Sequence, residues 1–225
     1  MILDGELLVG VTSYRIHEDR RLMELTKRCL TLLMQQDFPL KVMLVDDCSN
    51  REVLNKLLSE LSGKLLLRQV DFGSVSKSWN YICDETFKKE RGNYALILNN
   101  DVVLLPNTIN PLLQFAHENP RYGIITGVEV NSNGKIMSAY TFSAFLITKW
   151  LYETVGPFDE NIVGQGLEDW DYVERLKEKG LEIGVCKDFK FYHERSATIK
   201  VFPDKWNISV EYYRRKWSDG KHTLP

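Results

Sequence analysis

Short apolar runs that alternate with segments of helical periodicity constrain this fold more than any other feature of the sequence. Residues 7–12 form an apolar run rich in β-forming side chains, and residues 41–45, 65–70 and 94–98 are predicted to be further strands. Between such runs, apolar residues recur every three or four positions, as in residues 20–36, which is typical of an amphipathic helix. Strands that alternate with helices favour a mostly parallel sheet with short crossovers. The expected fold class is therefore α/β.

The second half of the chain has a different pattern. Residues 129–145 suggest an antiparallel hairpin with its turn at 131–134, where asparagine and glycine favour a tight turn. A helix is expected over 168–179. Two short strands are expected over 181–185 and 190–192. This half therefore adds a small antiparallel part to the sheet.

One compact domain over residues 1–225 is the simplest organisation, because the sequence has no repeat and no low-complexity linker. We expect two halves, one ending near residue 128 and one over 129–205. An aromatic and basic tail over 206–225 is expected to be helical. It is expected either to pack as a terminal helix or to lie on a membrane surface near a lipid-linked acceptor.

Composition narrows the classes of function. A formal net charge of −2 argues against a general nucleic-acid binder. The four cysteines form no CxxC pair, which argues against a zinc knuckle or a disulfide framework. The sequence has no signal-peptide pattern, and its apolar runs are shorter than the ~20 residues that a membrane span needs. A cytoplasmic protein is expected.

Polar clusters follow three of the predicted strands at their carboxyl ends. Residues 12–14, 46–47 and 99–101 come directly after the first, second and fourth strands. Each cluster alone also fits an ordinary turn or helix cap. Ligands of open α/β sheets bind outside the carboxyl ends of the strands, so the three clusters together favour a ligand cleft along one edge.

The residue types in these clusters suggest a nucleotide ligand. The Asp46 carboxylate is suited to accept from the imide N–H of a uracil or thymine ring, which Tyr14 can cover. Asp101 is a hard oxygen ligand suited to Mg²⁺ or Mn²⁺ on a diphosphate. Because the neighbours of Asp101 are carboxamides, phosphate oxygens and waters are expected to complete the metal's coordination.

A second acidic cluster, at residues 168–171, opens the helix predicted over 168–179. Acidic side chains at a helix start are favoured by the helix dipole, and the same position suits a general base at the cleft edge. The helix N-terminus is expected to lower the pKa of Asp169. His193 stands alone between short strand residues, and either packing or ligation explains it.

In this order and spacing the motifs resemble those of the family 2 glycosyltransferases, which have the GT-A fold. That fold is Rossmann-like, with helices on both faces of the sheet and a small antiparallel acceptor-side subsheet. Within residues 5–195, the resemblance is carried by residues 11–14, 45–49, 98–101, 156–160 and 166–171. The Asn99-Asn100-Asp101 form lacks the first carboxylate of a DxD motif. It is familiar among members that resemble rhamnosyl- and galactosyltransferases.

The resemblance implies a role for each motif. It implies donor-binding positions at Thr12, Tyr14, Asp46, Asp47, Lys77, Asn80 and Asn100. It implies that Asp101 binds Mn²⁺ or Mg²⁺ and that His193 is a second metal ligand. It also implies that Asp169 is the catalytic base, with Glu168 supporting it or contacting the acceptor.

The implied activity is inverting transfer of a sugar from a UDP- or dTDP-sugar to a hydroxyl of a glycan or lipid-linked acceptor, as in polysaccharide biosynthesis. One alternative, a nucleotidyltransferase, needs a glycine-rich phosphate loop near the first strand. Gly10 is the only glycine in residues 10–21, which argues against this alternative. A non-catalytic transferase-like binding module is a second alternative. The acidic set Asp46, Asp101 and Asp169 argues against it.

Overall fold

The computed structural model describes residues 7–61, 65–163, 166–195, 197–202 and 204–218. Its strands are β1 (Leu7–Tyr14), β2 (Leu40–Asp47), β3 (Leu65–Val70), β4 (Tyr94–Asn99), β5 (Val102–Leu104), β6 (Ile124–Val130), β7 (Ile136–Ala139), β8 (Ala144–Thr148) and β9 (Ile183–His193). Its helices are α1 (Arg20–Leu33), α2 (Arg51–Ser59), α3 (Val75–Asp84), α4 (Ile109–Glu118), α5 (Lys149–Val155), α6 (Glu168–Glu178), α7 (Ala197–Val201) and α8 (Asp204–Lys216). A π-helical turn, Glu85–Lys89, continues α3.

The strands form one continuous sheet in the order β3-β2-β1-β4-β8-β6-β9-β5, and β7 pairs with β6 at the side. Strands β3, β2, β1 and β4 are mutually parallel. Strand β8 runs antiparallel between β4 and β6, while β6 and β9 are parallel to each other. The sheet is therefore mostly parallel with an antiparallel part in the second half of the chain, which confirms the predicted fold class.

Helices cover both faces of the sheet because alternate residues of the buried strands enter two separate cores. Val9 and Val11 of β1 pack in one core with side chains of α1, α2 and α4. Leu8 packs in the other core with Trp79 of α3 and Tyr172 of α6. Period-two alternation into two apolar layers is the pattern of a sheet that is buried on both faces.

Two of the elements predicted for the second half differ from those in the structure. The turn at residues 131–134 does connect an antiparallel hairpin, but its second strand ends at Ala139, and residues 144–148 form the separate strand β8. The two short strands predicted over 181–185 and 190–192 are one strand, β9. A register shift against β6 interrupts the apolar pattern of β9, which made it look like two strands.

The tail is helical, as predicted, and α8 packs against the body of the protein. Tyr213 is fully buried and Trp217 is 8% exposed, in a cluster with Leu167. Arg214 and Arg215 are exposed. Residues 219–225 of the predicted tail lie outside the described residues. In the described part of the chain, no helix has the length and apolar character to cross a membrane.

Candidate active site

A cavity of about 220 Å³ opens where the carboxyl ends of β1, β2 and β4 meet the start of α6. Parallel pairing brings the strand ends level, since Tyr14 lies opposite Asp47 and Thr12 lies opposite Asn99. The predicted site residues in its walls are Thr12, Tyr14, Asp47, Asn100, Asp101, Glu168, Asp169 and His193. The three strand-end clusters and the acidic cluster therefore meet at one cavity.

Asp46 lies beneath the cavity wall and is completely buried. Its carboxylate accepts hydrogen bonds from the Ser13 hydroxyl at 2.6 Å, the Ser49 hydroxyl at 2.7 Å and the Ser49 N–H at 3.1 Å. Burial raises the pKa of Asp46, and these hydrogen bonds oppose the rise. Asp46 thus holds the wall residue Ser13 in place.

Asp47 faces the cavity and also organises the loop that precedes α3. Its Oδ1 accepts from the N–H groups of Phe72 and Gly73 at 2.8 and 3.0 Å, and its Oδ2 accepts from the Ser74 N–H at 3.1 Å. A carboxylate that accepts several backbone N–H groups fixes the loop that donates them. This loop supplies Gly73 and Ser74 to the cavity wall.

Two predicted donor-binding residues of α3 do not line the cavity. Lys77 is partly buried on this helix. Asn80 is buried, and its amide donates to the Phe158 carbonyl at 2.9 Å and to a Glu160 carboxylate oxygen at 3.0 Å. The side-chain carbonyl of Asn80 accepts a hydrogen bond from the Phe158 N–H at 2.8 Å. Asn80 thus ties α3 to the segment that follows α5.

Asp101 and His193 come together through a short strand pairing. Val102 of β5 lies opposite His193 of β9, and this register brings His193 Nε2 to 3.3 Å from Asp101 Oδ1. On the other side of the ring, Nδ1 lies 3.2 Å from the Ser143 hydroxyl and 3.6 Å from Glu129 Oε2. Burial lowers the pKa of His193, but Asp101 and Glu129 outweigh it, so the net shift is upward.

The donor set of Asp101 and His193 fits a divalent metal. A carboxylate oxygen and an imidazole nitrogen that are 3.3 Å apart on one cavity wall can both bind one Mn²⁺ or Mg²⁺ ion. Asp47, Cys48 and Asp71 also lie close together. Burial, with hydrogen bonds to Asp71 and Asp47, raises the pKa of the Cys48 thiol to about 12. Since thiols bind metals as thiolates, this second group fits a metal less well.

Glu168 and Asp169, the acidic pair at the start of α6, have pKa values that differ from expectation. Glu168 is buried, and desolvation with the nearby Asp169 charge raises its pKa to about 8. Desolvation also raises the pKa of Asp169, although the Trp170 N–H donates to its Oδ1 at 2.9 Å. The expectation that the helix N-terminus lowers the pKa of Asp169 is therefore wrong, because desolvation outweighs the backbone hydrogen bonds at this helix end.

Several residues around the cavity carried no usable sequence signal. Phe202, just after α7, lines the cavity and contacts Tyr14 edge to face, with ring centroids 5.1 Å apart. Glu129 contacts His193 and also receives a hydrogen bond from Arg195 Nε at 2.6 Å. Helix α7 is too short for a periodic pattern, and the contacts of Glu129 join distant parts of the chain.

Comparison with known proteins gives the class to which this geometry belongs. The family described as "Glycosyl transferase family 2" matches residues 23–154, more than half of the chain. The chain therefore belongs to this family and is a glycosyltransferase with the GT-A fold.

The fold is similar to crystal structures of S. aureus TarS, although the sequences differ widely. For TarS 1–349 the TM-score is 0.60 with 18% identity, and the match covers 96% of this chain and 73% of that one. A TarS structure of which 44% is covered gives a TM-score of 0.60 with 19% identity. TarS 1–349 in complex with UDP gives a TM-score of 0.59 with 19% identity, at 96% and 73% coverage. No curated protein matches the chain.

Proposed function

We propose that this glycosyltransferase transfers a sugar, with inversion, from a UDP- or dTDP-sugar to a hydroxyl of a glycan or lipid-linked acceptor. The observation that carries the proposal is that one cavity holds both the Asp101–His193 pair and the Glu168–Asp169 pair. The first pair suits a diphosphate with its metal, and the second suits proton removal from an acceptor. The UDP complex of the similar TarS fold supports a nucleotide donor.

The donor nucleoside is assigned to the wall formed by β1 and β2. Tyr14 provides an aromatic face for the base, and Thr12 provides a polar side chain nearby. Asp46 contributes by fixing Ser13, and Asp47 contributes by fixing the loop that holds Gly73 and Ser74. Asn100, whose amide donates to the Thr26 hydroxyl at 2.7 Å, is assigned to the ribose side.

Asp101 and His193 would hold Mn²⁺ or Mg²⁺. A divalent ion bound there supplies positive charge that stabilises the leaving nucleoside diphosphate. Glu129 and Ser143 contact the far side of the His193 ring, and such contacts orient a metal-binding imidazole. Asn99 and Asn100 add no charge, so oxygens of the donor phosphates would be needed to complete the coordination of the metal.

Asp169 is assigned as the general base. Its carboxylate accepts the proton of the acceptor hydroxyl, and that oxygen forms a bond to the anomeric carbon as the bond to the diphosphate oxygen breaks on the opposite face. Desolvation and the Asp169 charge raise the pKa of Glu168, which favours one shared proton on the acidic pair, and we assign the ionised role to Asp169. The raised pKa of Asp169 makes it a stronger base than an exposed aspartate.

Metal-dependent donor binding and turnover test this function. The full chain, incubated with a panel of UDP- and dTDP-sugars and Mn²⁺, is expected to release the nucleoside diphosphate from at least one donor. Asp101→Ala should raise the Kd of UDP measured with Mn²⁺ by about tenfold or more, because about 1.4 kcal/mol is a factor of ten. Asp188→Ala, at an exposed position of β9, serves as the control and should leave this Kd unchanged.

Two results would contradict the proposal. If the Kd of UDP for the wild type is the same with and without Mn²⁺, the assignment of Asp101 as a metal ligand is wrong. Tight nucleotide binding without release of product from any donor, with glycan or lipid-linked acceptors present, would favour the non-catalytic module.

A further inference from the structure

The C-terminal helix α8 contacts Val163 and Leu167, two residues that precede the acidic pair in the chain. The Ser209 hydroxyl donates to the Val163 carbonyl at 3.2 Å. Further along α8, Tyr213 and Trp217 form a buried cluster with Leu167, the residue directly before Glu168. Helix α8 therefore packs on the residue from which α6 and its acidic pair begin.

Asp171 provides a polar link between α8 and α6. This side chain is completely buried, one turn into α6. It accepts from Lys216 Nζ at 2.6 Å, from Trp217 Nε1 at 3.1 Å and from Arg175 Nε at 3.0 Å. A buried carboxylate needs such partners, and losing one of them leaves an uncompensated charge. Lys216 also lies 2.5 Å from Asp159, so it joins two acidic segments.

The backbone at the start of α6 needs support from its surroundings. Leu167 has a φ of 72°, which places a branched residue in the left-handed region that favours glycine. Conformations of this kind persist only where neighbouring contacts fix them, and they concentrate at functional sites. Leu167 is buried in one apolar cluster with Tyr213 and Trp217 of α8.

We propose that α8 is a positioning element for the acidic pair. Through Asp171 and Leu167, Lys216 and Trp217 hold the first turn of α6 so that Asp169 faces the cavity. The proposal rests on the proposed function of Asp169 as general base. Lys216 and Trp217 themselves line no part of the cavity wall in the described residues, so their effect on turnover passes through α6.

The two contacts can be removed separately in the full chain. Trp217→Phe keeps an aromatic ring but removes the N–H that Asp171 accepts, and Lys216→Met keeps the length of the side chain but removes its charge. Each should lower kcat for nucleoside diphosphate release from a UDP-sugar by about tenfold, since small misplacements of a catalytic group are costly. The KM of the donor and the Kd of UDP should stay within about twofold, because the nucleoside wall lies on β1 and β2.

Two further variants separate positioning from general destabilisation. Lys216→Arg restores the positive charge and should recover most of kcat. Arg214→Met removes an exposed charge from the same helix and should leave kcat unchanged. If Lys216→Met unfolds below the assay temperature, the Trp217→Phe variant provides the test. Its melting curve then shows that it is folded in the assay.

Wild-type kcat in Trp217→Phe, or a loss of UDP affinity that matches the loss of kcat, would overturn the positioning role. Asp169→Asn measured in parallel separates this from a failure of the proposed function. If Asp169→Asn is inactive while Trp217→Phe turns over normally, only the role of α8 is wrong. If Asp169→Asn turns over normally, the general-base assignment is wrong.

Discussion

At the scale of single residues, desolvation shifts the pKa values of Glu168 and Asp169 more strongly than the backbone hydrogen bonds of the helix start do. Glu168 and Asp169 occupy the first turn of α6, where the helix dipole favours carboxylates. Desolvation nevertheless raises both pKa values. A local rule predicted the opposite sign because the sequence does not show how deeply a helix end is buried.

Glu168 is expected to reduce stability at neutral and alkaline pH. Its folded-state pKa of about 8 lies above its usual 4.5, so the folded protein binds the extra proton and stability falls as pH rises through this range. Glu168→Gln should therefore raise the Tm by several degrees at pH 8. Near pH 4.5 it should change the Tm little, and thermal melts at both pH values measure this.

The exposed Glu178 at the end of the same helix provides a matched control, since Glu178→Gln should shift the Tm little at either pH. An equal change of Tm at pH 8 and pH 4.5 in Glu168→Gln would contradict the raised pKa.

Substitution of Asn80 tests whether this predicted donor-binding residue stabilises the fold rather than contacting the donor. Asn80→Ala removes both partners of the Phe158 backbone and leaves buried polar groups unsatisfied, which costs about 1–3 kcal/mol per group. We expect a clear loss of stability in urea denaturation and a Kd of UDP within about twofold of the wild type. Tenfold weaker UDP binding with unchanged stability would instead support direct donor contact.

At the scale of elements, the parallel half of the sheet was predictable because its signals are local. Strands β1, β2 and β4 contain continuous apolar runs, and α1 has apolar residues at helical spacing. The rule that ligands bind at strand carboxyl ends then located the cavity. Strand β5 and helices α5 and α7 were missed because they are too short for a periodic pattern. The approach of Asp101 to His193 depends on the pairing of β5 with β9, which is a long-range contact.

The link between α8 and Asp159 is expected to weaken in acid. Burial alone would raise the pKa of Asp159, but Lys216 and the Asn161 N–H lower it to about 2. Its contribution to stability is therefore present above the usual pKa of 3.8 and is lost as pH falls through about 2. Asp159→Asn should cost about 2 kcal/mol at pH 7 in urea denaturation.

The cost of Asp159→Asn should shrink steadily between pH 4 and pH 2. A cost that stays constant over this interval would show that the side chain stabilises the protein through its shape rather than its charge.

At the scale of the whole molecule, we propose that the chain is one domain whose two halves meet at the cavity. Tyr14, Asp47 and Asp101 come from the first half, while Glu168 and Asp169 come from the second. The sheet is continuous between the halves because β8 pairs with both β4 and β6. Under the proposed function, the donor nucleoside would lie on one half, and the general base that activates the acceptor would lie on the other.

The central claim is that Asp169 activates the acceptor in a cavity that binds the nucleotide separately. The most direct measurement compares Asp169→Asn with the wild type in kcat for transfer from a UDP-sugar and in the Kd of UDP with Mn²⁺. Loss of a general base typically costs about 10²–10⁴ in rate, so kcat should fall at least about a hundredfold. The Kd of UDP should stay within about twofold. Wild-type kcat in Asp169→Asn would contradict the claim.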